Sequence, residues 1–593
     1  MSSVGNKWKD ILTFKGDRPD SIVLYGALLL VITKLFLFPY TQTVDADAVS
    51  RTLISYKWSQ DPYFITDSVW APLYFYWNGL IIWLTGSIEN GPRYVNVLLS
   101  GLTLLPFYFF VKNEFSRTGA IYSVAVFALS PIIFRNSFQA LSGTPYLFFL
   151  ALSLYAFSLA LRRDQFKIFA LAGFFLTIAA GFRYEAWIMI AVFTLIGILN
   201  KQYLGTLIFW GVGMIIPISW MLVGKIYHDD FLFGINGAYG WNIQQMDINA
   251  NLNDTERLKR LFFYPMSWFL AVSPVLAWVL IVSFFRNILK KVYSRNQYYW
   301  MIPLLVIGVA FLVKAQDGTL LLQHRFTGSL VLLSSPLFAL VIQMSTGKIL
   351  RYLYASLCLL ILPQSYFWYR VNLDEWTPLS RQIKSIIRDI QLSTGPETLP
   401  LPQIDNPLII HALQVIDENW KEGNGLIIDF IGWSETYYLG MQYPESDPFI
   451  FPGAKNDQFP VEKYLSYIHD HPEGILVLHC ASNYHEFVQY QGKTLQLLDG
   501  QGQIELNELY QDKGLRVFEY YKGDGWTIYL PGFKNDCAEI GSIGYFESRA
   551  YFSVQMREEA KRMIRKKGVS FEEAMLALAE REHKRFLNGE IEL

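Results

Sequence analysis

Cysteine and charge are both scarce in this chain. Three cysteines among 593 residues cannot build a disulfide framework. Cys358 sits inside an apolar run, and although Cys480 and Cys537 could pair, nothing in the sequence demands it. Charged residues make up 17% of the chain, against about 25% in an ordinary soluble domain. With a formal net charge of -1 there is no basic excess, which excludes a nucleic-acid partner, because binding by counterion release needs a basic face. No Walker loop, no G-x-S-x-G, no H-E-x-x-H and no C-x-x-C pair appears, so nucleotide-driven pumping, serine hydrolysis and zinc proteolysis lack their signatures. Ionisable residues are also rare within the apolar runs, which argues against the proton relay of an ion-coupled transporter.

What the chain has instead is apolar length. It is 52% hydrophobic and 16% aromatic. Runs of roughly 20 apolar residues, enough to cross about 30 Å of hydrocarbon, recur from Ile22 to Tyr369 and then stop. Spans are expected at 21–40, 93–111, 118–135, 144–161, 166–182, 185–200, 203–223, 261–285, 298–313, 326–344 and 351–369, about eleven in all. The piece Leu73 to Leu84 is too short to cross and reads as an interfacial helix. With that piece uncrossed, Lys112, Arg117, Arg162, Arg163, Lys167, Lys201 and the Arg286 to Arg295 group all fall on the cytoplasmic side, as the positive-inside rule asks.

The chain therefore divides into a cytoplasmic N-terminus (1–20), a membrane region (21–370), an extracytoplasmic α/β domain (371–544) and a charged helical tail (545–593). The polar start, with Lys7, Lys9, Lys15 and Arg18, reads as an uncleaved signal anchor. In the outer domain the sequence predicts a helix over "LSRQIKSIIRDI", strands at "GLIIDFI" and "GILVLHC", a helix at "VEKYLSYIHD" and a hairpin "LRVFEYY-KGDG-WTIYL". A helix start capped by Ser434 is expected in "IGWSETYYLG". The tail carries a helical apolar period in "FEEAMLALAEREHKRFL" and reads either as an appended helical pair for partner contact or as a solvated extension.

This topology gathers the unusual polar residues on one face. The first outer loop reads Thr43-Val44-Asp45-Ala46-Asp47-Ala48-Val49-Ser50-Arg51. Two carboxylates just past a span can take a proton from an attacking hydroxyl or hold a divalent cation, and Arg51, one helical turn after Asp47, can orient it or meet a phosphate. The plainer reading has Asp47 capping an interfacial helix and pairing with Arg51. A second cluster is Arg183-Tyr184-Glu185 between two apolar runs, where charge is expensive enough to mark function; its plain reading is a snorkelling Arg neutralised by Glu. Third come Lys314 and the pair His324-Arg325, cations suited to a lipid phosphate, with His324 also a candidate metal ligand or proton carrier. Arg135, Gln139, Arg257, Lys259 and Arg260 lie on the same side; the basic residues among them either hold an anion or, the preferred reading, belong to a long loop exempt from the charge rule.

In order along the chain, "DADAVSR", "PLYFYW", "ALSP", "FRYEAW" and "QHRFTGSL" resemble the GT-C superfamily of membrane glycosyltransferases, which includes protein O-mannosyltransferases and lipid A aminoarabinose transferases. The resemblance covers residues 21–370 and implies a polytopic α-helical membrane fold with a C-terminal extracytoplasmic α/β domain. It implies inverting transfer of a sugar from a polyprenyl-phosphate donor, in a plasma membrane, to a protein, lipid or glycan acceptor. By position the catalytic base is then Asp45 or Asp47, since the spacing fits either; Asp45 is taken as the base with Asp47 its partner, and Arg51, Arg183, Glu185, Lys314, His324 and Arg325 form the substrate-binding set. Relatives often carry a second acidic residue where this chain has Ser142, Gly143 and Thr144. Metal-free catalysis is expected for that reason, with a divalent cation as the alternative. The rival readings are a transporter or flippase for a lipid-linked or small solute, and a non-catalytic subunit of a glycan assembly complex.

Overall fold

The computed structural model describes residues 18–38, 46–66, 70–244, 254–291, 293–344, 347, 351–352, 356, 406–429, 433–450, 461–479, 502–522, 526–527 and 542–590. Asp45, the three cysteines, the expected span at 351–369 (except residues 351, 352 and 356) and the segment "LSRQIKSIIRDI" lie outside them. By compactness the chain forms two units. The first holds residues 1–41, 63–77 and 90–393; the second holds 42–62, 78–89 and 394–593.

The first unit is helical: α1 (Arg18–Leu37), then from α3 (Leu73–Thr85), which begins here, through α4 (Asn90–Leu102), α5 (Leu104–Glu114), α6 (Arg117–Leu129), α7 (Pro131–Asn136), α8 (Gly143–Arg163), α9 (Phe166–Phe182), α10 (Glu185–Leu199), α11 (Tyr203–Gly213), α12 (Ile215–His228), α13 (Phe233–Gln244), α14 (Asp254–Val272), α15 (Pro274–Leu289), α16 (Arg295–Tyr299), α17 (Ile302–Gln316), a 3-10 turn at His324–Thr327, and α18 (Gly328–Met344). Among the described residues five helices are long and apolar enough to cross a membrane, or up to seven if each of two bent pairs is one span, and three more apolar helices are shorter. The protein is thus a multi-pass membrane protein. The expected single span at 261–285 is instead broken: α14 and α15 meet at 107°. Ser273 sits at φ 75° ahead of Pro274, and a residue before proline is driven out of the helical region. Helix α3, 13 residues or about 20 Å long, is too short to cross, and it exposes Leu80, Trp83 and Leu84 near its end.

Helices in this unit approach closely through small residues, as lipid-embedded bundles require. A Cβ on Gly119 of α6 would lie 2.5 Å from the Ala339 backbone of α18. Two buried charges are satisfied side chain to side chain. Glu114, 1% exposed, accepts from Arg162 Nε at 2.9 Å, Trp300 Nε1 at 2.9 Å, and Ser158 and Asn296. Lys34 of α1 donates to Ser100 Oγ at 2.9 Å and lies 5.1 Å from the Phe134 ring centroid.

The second unit is α/β. Its elements are α2 (Ala46–Gln60), the end of α3, α19 (Pro407–Asn419), β1 (Gly425–Ile428), α20 (Trp433–Gln442), β2 (Phe449–Ile450), α21 (Val461–Asp470), β3 (Glu473–His479), β4 (Gly502–Asp512), β5 (Leu515–Lys522), β6 (Trp526–Thr527), α22 (Ile543–Phe552), α23 (Val554–Lys567) and α24 (Phe571–Leu587). One sheet runs in the order β2-β1-β3-β5-β4-β6, with β1 parallel to both β2 and β3. The expected hairpin of "LRVFEYY" with "WTIYL" does not form. β5 pairs antiparallel with β4, Leu515 opposite Asp512, and Trp526–Thr527 pairs with the start of β4. The turn residues Lys513 (φ 44°) and Gly514 (φ 80°) are both left-handed, the backbone a two-residue hairpin needs. Helix α20 starts at Trp433, so Ser434 lies inside its first turn and not at its cap.

A single apolar core joins distant pieces of this unit. Val49 of α2, Leu408 and Ile409 of α19, Ile428 of β1, Leu439 of α20, Val517 of β5, Phe546 of α22 and Met575 of α24 all belong to it. The tail is therefore packed, not a solvated extension, and a capping box of Ser570 with Glu573 opens its last helix.

Candidate functional site

Helix α2 places the first candidates in the second unit. Asp47 stands in its first turn, where a carboxylate complements the helix dipole. Arg51 Nη2 donates to Asp47 Oδ2 at 2.9 Å, with the Arg side chain 9% and the Asp side chain 27% exposed. This is the ion pair that the i,i+4 spacing predicts. Asp45, one residue ahead of the helix, lies outside the described residues.

The remaining candidates belong to the first unit, and their positions follow from helix ends. Helix α9 stops at Phe182, and Arg183 turns extended at φ -152°, its N–H still donating to Ala179 O. Glu185 opens α10. This reversal folds the guanidinium back on the carboxylate, so that Arg183 Nε donates to Glu185 Oε1 at 3.0 Å and Oε2 at 3.1 Å. The pair is only 14% and 16% exposed. Aromatic rings flank the guanidinium, Phe326 at 4.8 Å and Tyr146 at 5.8 Å. The start of α8 is close as well: a Cβ built on Gly143 would be 3.9 Å from Arg183 Nη1. The Ser142-Gly143-Thr144 position, where relatives often carry an acid, here faces a cation.

His324 lies in the 3-10 turn before α18. Its Nδ1 shares a hydrogen bond with Ser267 Oγ at 2.9 Å, and Ser267 is in turn 2.6 Å from Thr327 Oγ1. Phe263 packs against the imidazole with ring centroids 4.7 Å apart, and the charge of Arg135 acts on it. Arg325 sits over Phe326 at 5.4 Å, and its backbone carbonyl accepts from Asn136 Nδ2 at 3.4 Å. Arg183, Glu185 and the 324–326 turn are therefore brought together. Lys314 is not: it is exposed at the end of α17, and no described hydrogen bond or ion pair links its ammonium to the others.

Sequence reading missed the residues that hold this end of the bundle in shape. Irregular backbone at membrane depth must have its polar groups satisfied internally, and the connection between α7 and α8 is satisfied by side chains from α3 and α4. Arg93 Nε donates to Phe138 O at 2.8 Å, Asn96 Nδ2 to Gln139 O at 2.6 Å and Leu141 O at 3.1 Å, and the Tyr74 hydroxyl to Ala140 O. Arg260, weighed only as a loop charge, donates to Ala315 O at 2.8 Å and Leu320 O at 2.9 Å, while Tyr264 donates to Leu321 O at 2.6 Å. The signal that could have found Arg93 is a lone arginine within an apolar span. Among the described residues no three His, Cys, Asp or Glu side chains gather in a way that could hold a metal ion.

Comparison with known proteins bears on the same region. The family model for dolichyl-phosphate-mannose-protein mannosyltransferases matches residues 69–223, the stretch that carries α3 to α12 and Arg183. ArnT from Cupriavidus metallidurans, solved bound to undecaprenyl phosphate, superposes with a TM-score of 0.54 at 9% identity, covering 84% of this chain and 97% of that one. The fold is that of the GT-C superfamily. Family match and fold agree on one class of enzyme, a glycosyltransferase, in place of the transporter and scaffold readings. The Archaeoglobus fulgidus oligosaccharyltransferase follows at a TM-score of 0.48 and 12% identity, covering 95% of this chain and 85% of that one. The Saccharomyces cerevisiae protein O-mannosyltransferase Pmt1-Pmt2 complex, bound to its sugar donor, scores 0.29 at 14% identity and covers 40% and 37%. No curated protein matches the chain by sequence.

Proposed function

We propose that this GT-C protein is an inverting glycosyltransferase that moves a hexosyl or pentosyl unit from a polyprenyl-phosphate donor to a protein, lipid or glycan acceptor on the extracytoplasmic side of a plasma membrane. The observation that carries the proposal is Arg183, a bidentate donor held at a helix break between two aromatic rings, where an anion can be met by a preorganised cation. In the reaction the acceptor oxygen attacks the anomeric carbon and its proton passes to Asp45. The bond from that carbon to the phosphate oxygen breaks, and its electron pair leaves on the lipid phosphate. Arg183, His324 and Arg325 stabilise that leaving anion, Glu185 keeps Arg183 extended, and Arg51 and Lys314 contribute to donor binding. Asp47, paired with Arg51, keeps the start of α2 in register behind Asp45. We take the transfer to need no metal, because Ser142, Gly143 and Thr144 stand where relatives often carry a second carboxylate, and the side chain near Gly143 is the Arg183 guanidinium.

The test is incubation of the purified, reconstituted protein with a panel of polyprenyl-phosphate sugars, watching for release of the lipid phosphate. One donor is expected to turn over, with no loss of rate on adding EDTA. Asp45→Asn should abolish transfer while the protein stays folded; full activity in that variant would remove Asp45 from the mechanism.

A further inference from the structure

The helix that follows Asp45 is built into the same core as the C-terminal tail, although the two lie at opposite ends of the chain. Val49, Leu53 and Lys57 form one stripe of α2 at i, i+4 and i+8. Val49 is fully buried in the core of the second unit. Leu53 Cδ2 lies 3.6 Å from where a Cβ on Gly440 of α20 would be, and Lys57 pairs with Asp447 just beyond α20. Helix α20 is thus the surface on which α2 rests.

The far side of α20 is tied to the tail. Arg557 of α23, 2% exposed, donates to Glu435 Oε1 in the first turn of α20 at 3.2 Å and to the Tyr551 carbonyl at 2.5 Å. Glu435 is 6% exposed, which makes this the most deeply buried ion pair among the described residues of the unit. A buried pair of this kind adds little stability over an apolar replacement of the same volume, but it fixes geometry, because each partner must meet the other at one orientation. Glu435 is not the only polar anchor of α20, since Thr436 Oγ1 also donates to the Asp429 carbonyl at 3.4 Å.

We propose that Arg557 and Glu435 are positioning residues for the transfer reaction: the tail sets α20, α20 sets α2, and α2 sets Asp47, the partner of the catalytic base, in its first turn. The inference rests on the reading of Asp45 as the base. A reacting group displaced by about 1 Å costs on the order of a hundredfold in rate, so a link of this kind acts on turnover and not on donor affinity.

The test uses the full-length protein with both partners replaced, Arg557→Met with Glu435→Leu, since removing one alone would strand a buried charge. Arg557→Lys, which keeps the charge but loses the planar fork, serves as the conservative variant. The double variant should unfold no earlier than wild type. It should lose about tenfold or more in kcat with the KM for the donor unchanged, and Arg557→Lys should recover part of that loss. Amide hydrogen exchange across residues 48–58 should speed up in the double variant. A double variant with wild-type kcat overturns the proposal, whether or not exchange in α2 changes, and so does an equal change in kcat and KM. If the wild-type protein transfers no sugar from any donor yet exchange in α2 responds to the double replacement, the structural link stands and the functional reading fails.

Discussion

The two units hold their reactive groups in place by different means. In the first, every candidate stands within a few residues of a helix break; Arg183 and Glu185 hold each other, Ser267 meets His324, and side chains of neighbouring helices reach the backbone carbonyls of the connections, Arg93 and Asn96 at 138–141, Arg260 and Tyr264 at 315–321. In the second, Asp47 begins a helix whose place is set by an ordinary apolar core assembled from α2, α19, the sheet and the tail. The difference follows from solvent. Hydrocarbon gives apolar side chains no reason to prefer one another over lipid, so the membrane unit spends buried polar groups on shape. The second unit is organised by burial, as a water-soluble domain is. Removing a candidate cation at a helix break of the first unit should accordingly cost specific chemistry, and trimming the apolar core of the second should cost stability by degrees.

The largest expected effect tests the chemical half of this contrast. Arg183→Ala should lower kcat/KM by about 10²–10³-fold, the size of effect seen when one preorganised donor to a developing anion is removed. The overall fold should persist, because Glu185 is 16% exposed and can be rehydrated. Arg183→Lys should rescue only in part, because a point charge does not reproduce the fork that Glu185 and a phosphate both use. Steady-state kinetics on the donor identified above checks both, and a rate for Arg183→Ala within a few-fold of wild type would remove this residue from donor stabilisation.

A smaller effect is expected from a residue that touches no substrate. Arg93 is 1% exposed, bonded to the Phe138 carbonyl and to Asn90 Oδ1 at 2.9 Å, with its guanidinium 4.4 Å from the Phe38 ring. Arg93→Met keeps most of the apolar volume but leaves a buried carbonyl without its donor, a cost of about 1–3 kcal/mol. Thermal unfolding in detergent should fall by several degrees, and activity should fall with it, since the 137–142 connection carries the start of α8 toward Arg183. An unchanged unfolding temperature would show that water or a neighbouring group replaces the guanidinium, and that the connection holds without it.

How much of this was legible beforehand depended on the range of the interactions. The strands at 425–428 and 473–479 and the helix at 461–470 could be read from local pattern, because each strand is a short apolar run bounded by turn residues and the helix repeats apolar residues at 461, 464, 465 and 468. The Asp47–Arg51 and Arg183–Glu185 pairs were equally readable, being four and two residues apart. The break at Ser273-Pro274 left a signal, a proline in an apolar run, that hydropathy counting overrode. The hairpin was misassigned because "KGDG" looks like a better turn than "KG", and only the pairing of β4 shows that Lys513 and Gly514 close it. Arg93 on Phe138, Arg557 on Glu435 and Val49 in the tail's core were not readable at all. Each joins segments far apart in sequence whose individual composition is unremarked.

The smallest expected effect lies on the seam between sheet and tail, and it tests whether the second unit relies on charge as the first does. Lys513 in the β4–β5 turn pairs with Glu547 of α22, and that hydrogen bond raises the ammonium above its ordinary pKa. A lysine raised on folding contributes stability that is fully present below the unfolded value of about 10.4 and is lost as pH rises through the higher folded value. The pair is 34% and 24% exposed, so its contribution is small beside that of the apolar core. Lys513→Met should therefore unfold slightly earlier than wild type at pH 8, and the gap should close as pH rises through the raised folded value. Glu547→Gln should behave in the same way. A gap that persists unchanged after the lysine has lost its proton in the folded protein would mean that its methylene stem, not its charge, holds the turn against the tail, and the second unit would then be organised by burial down to its surface seams.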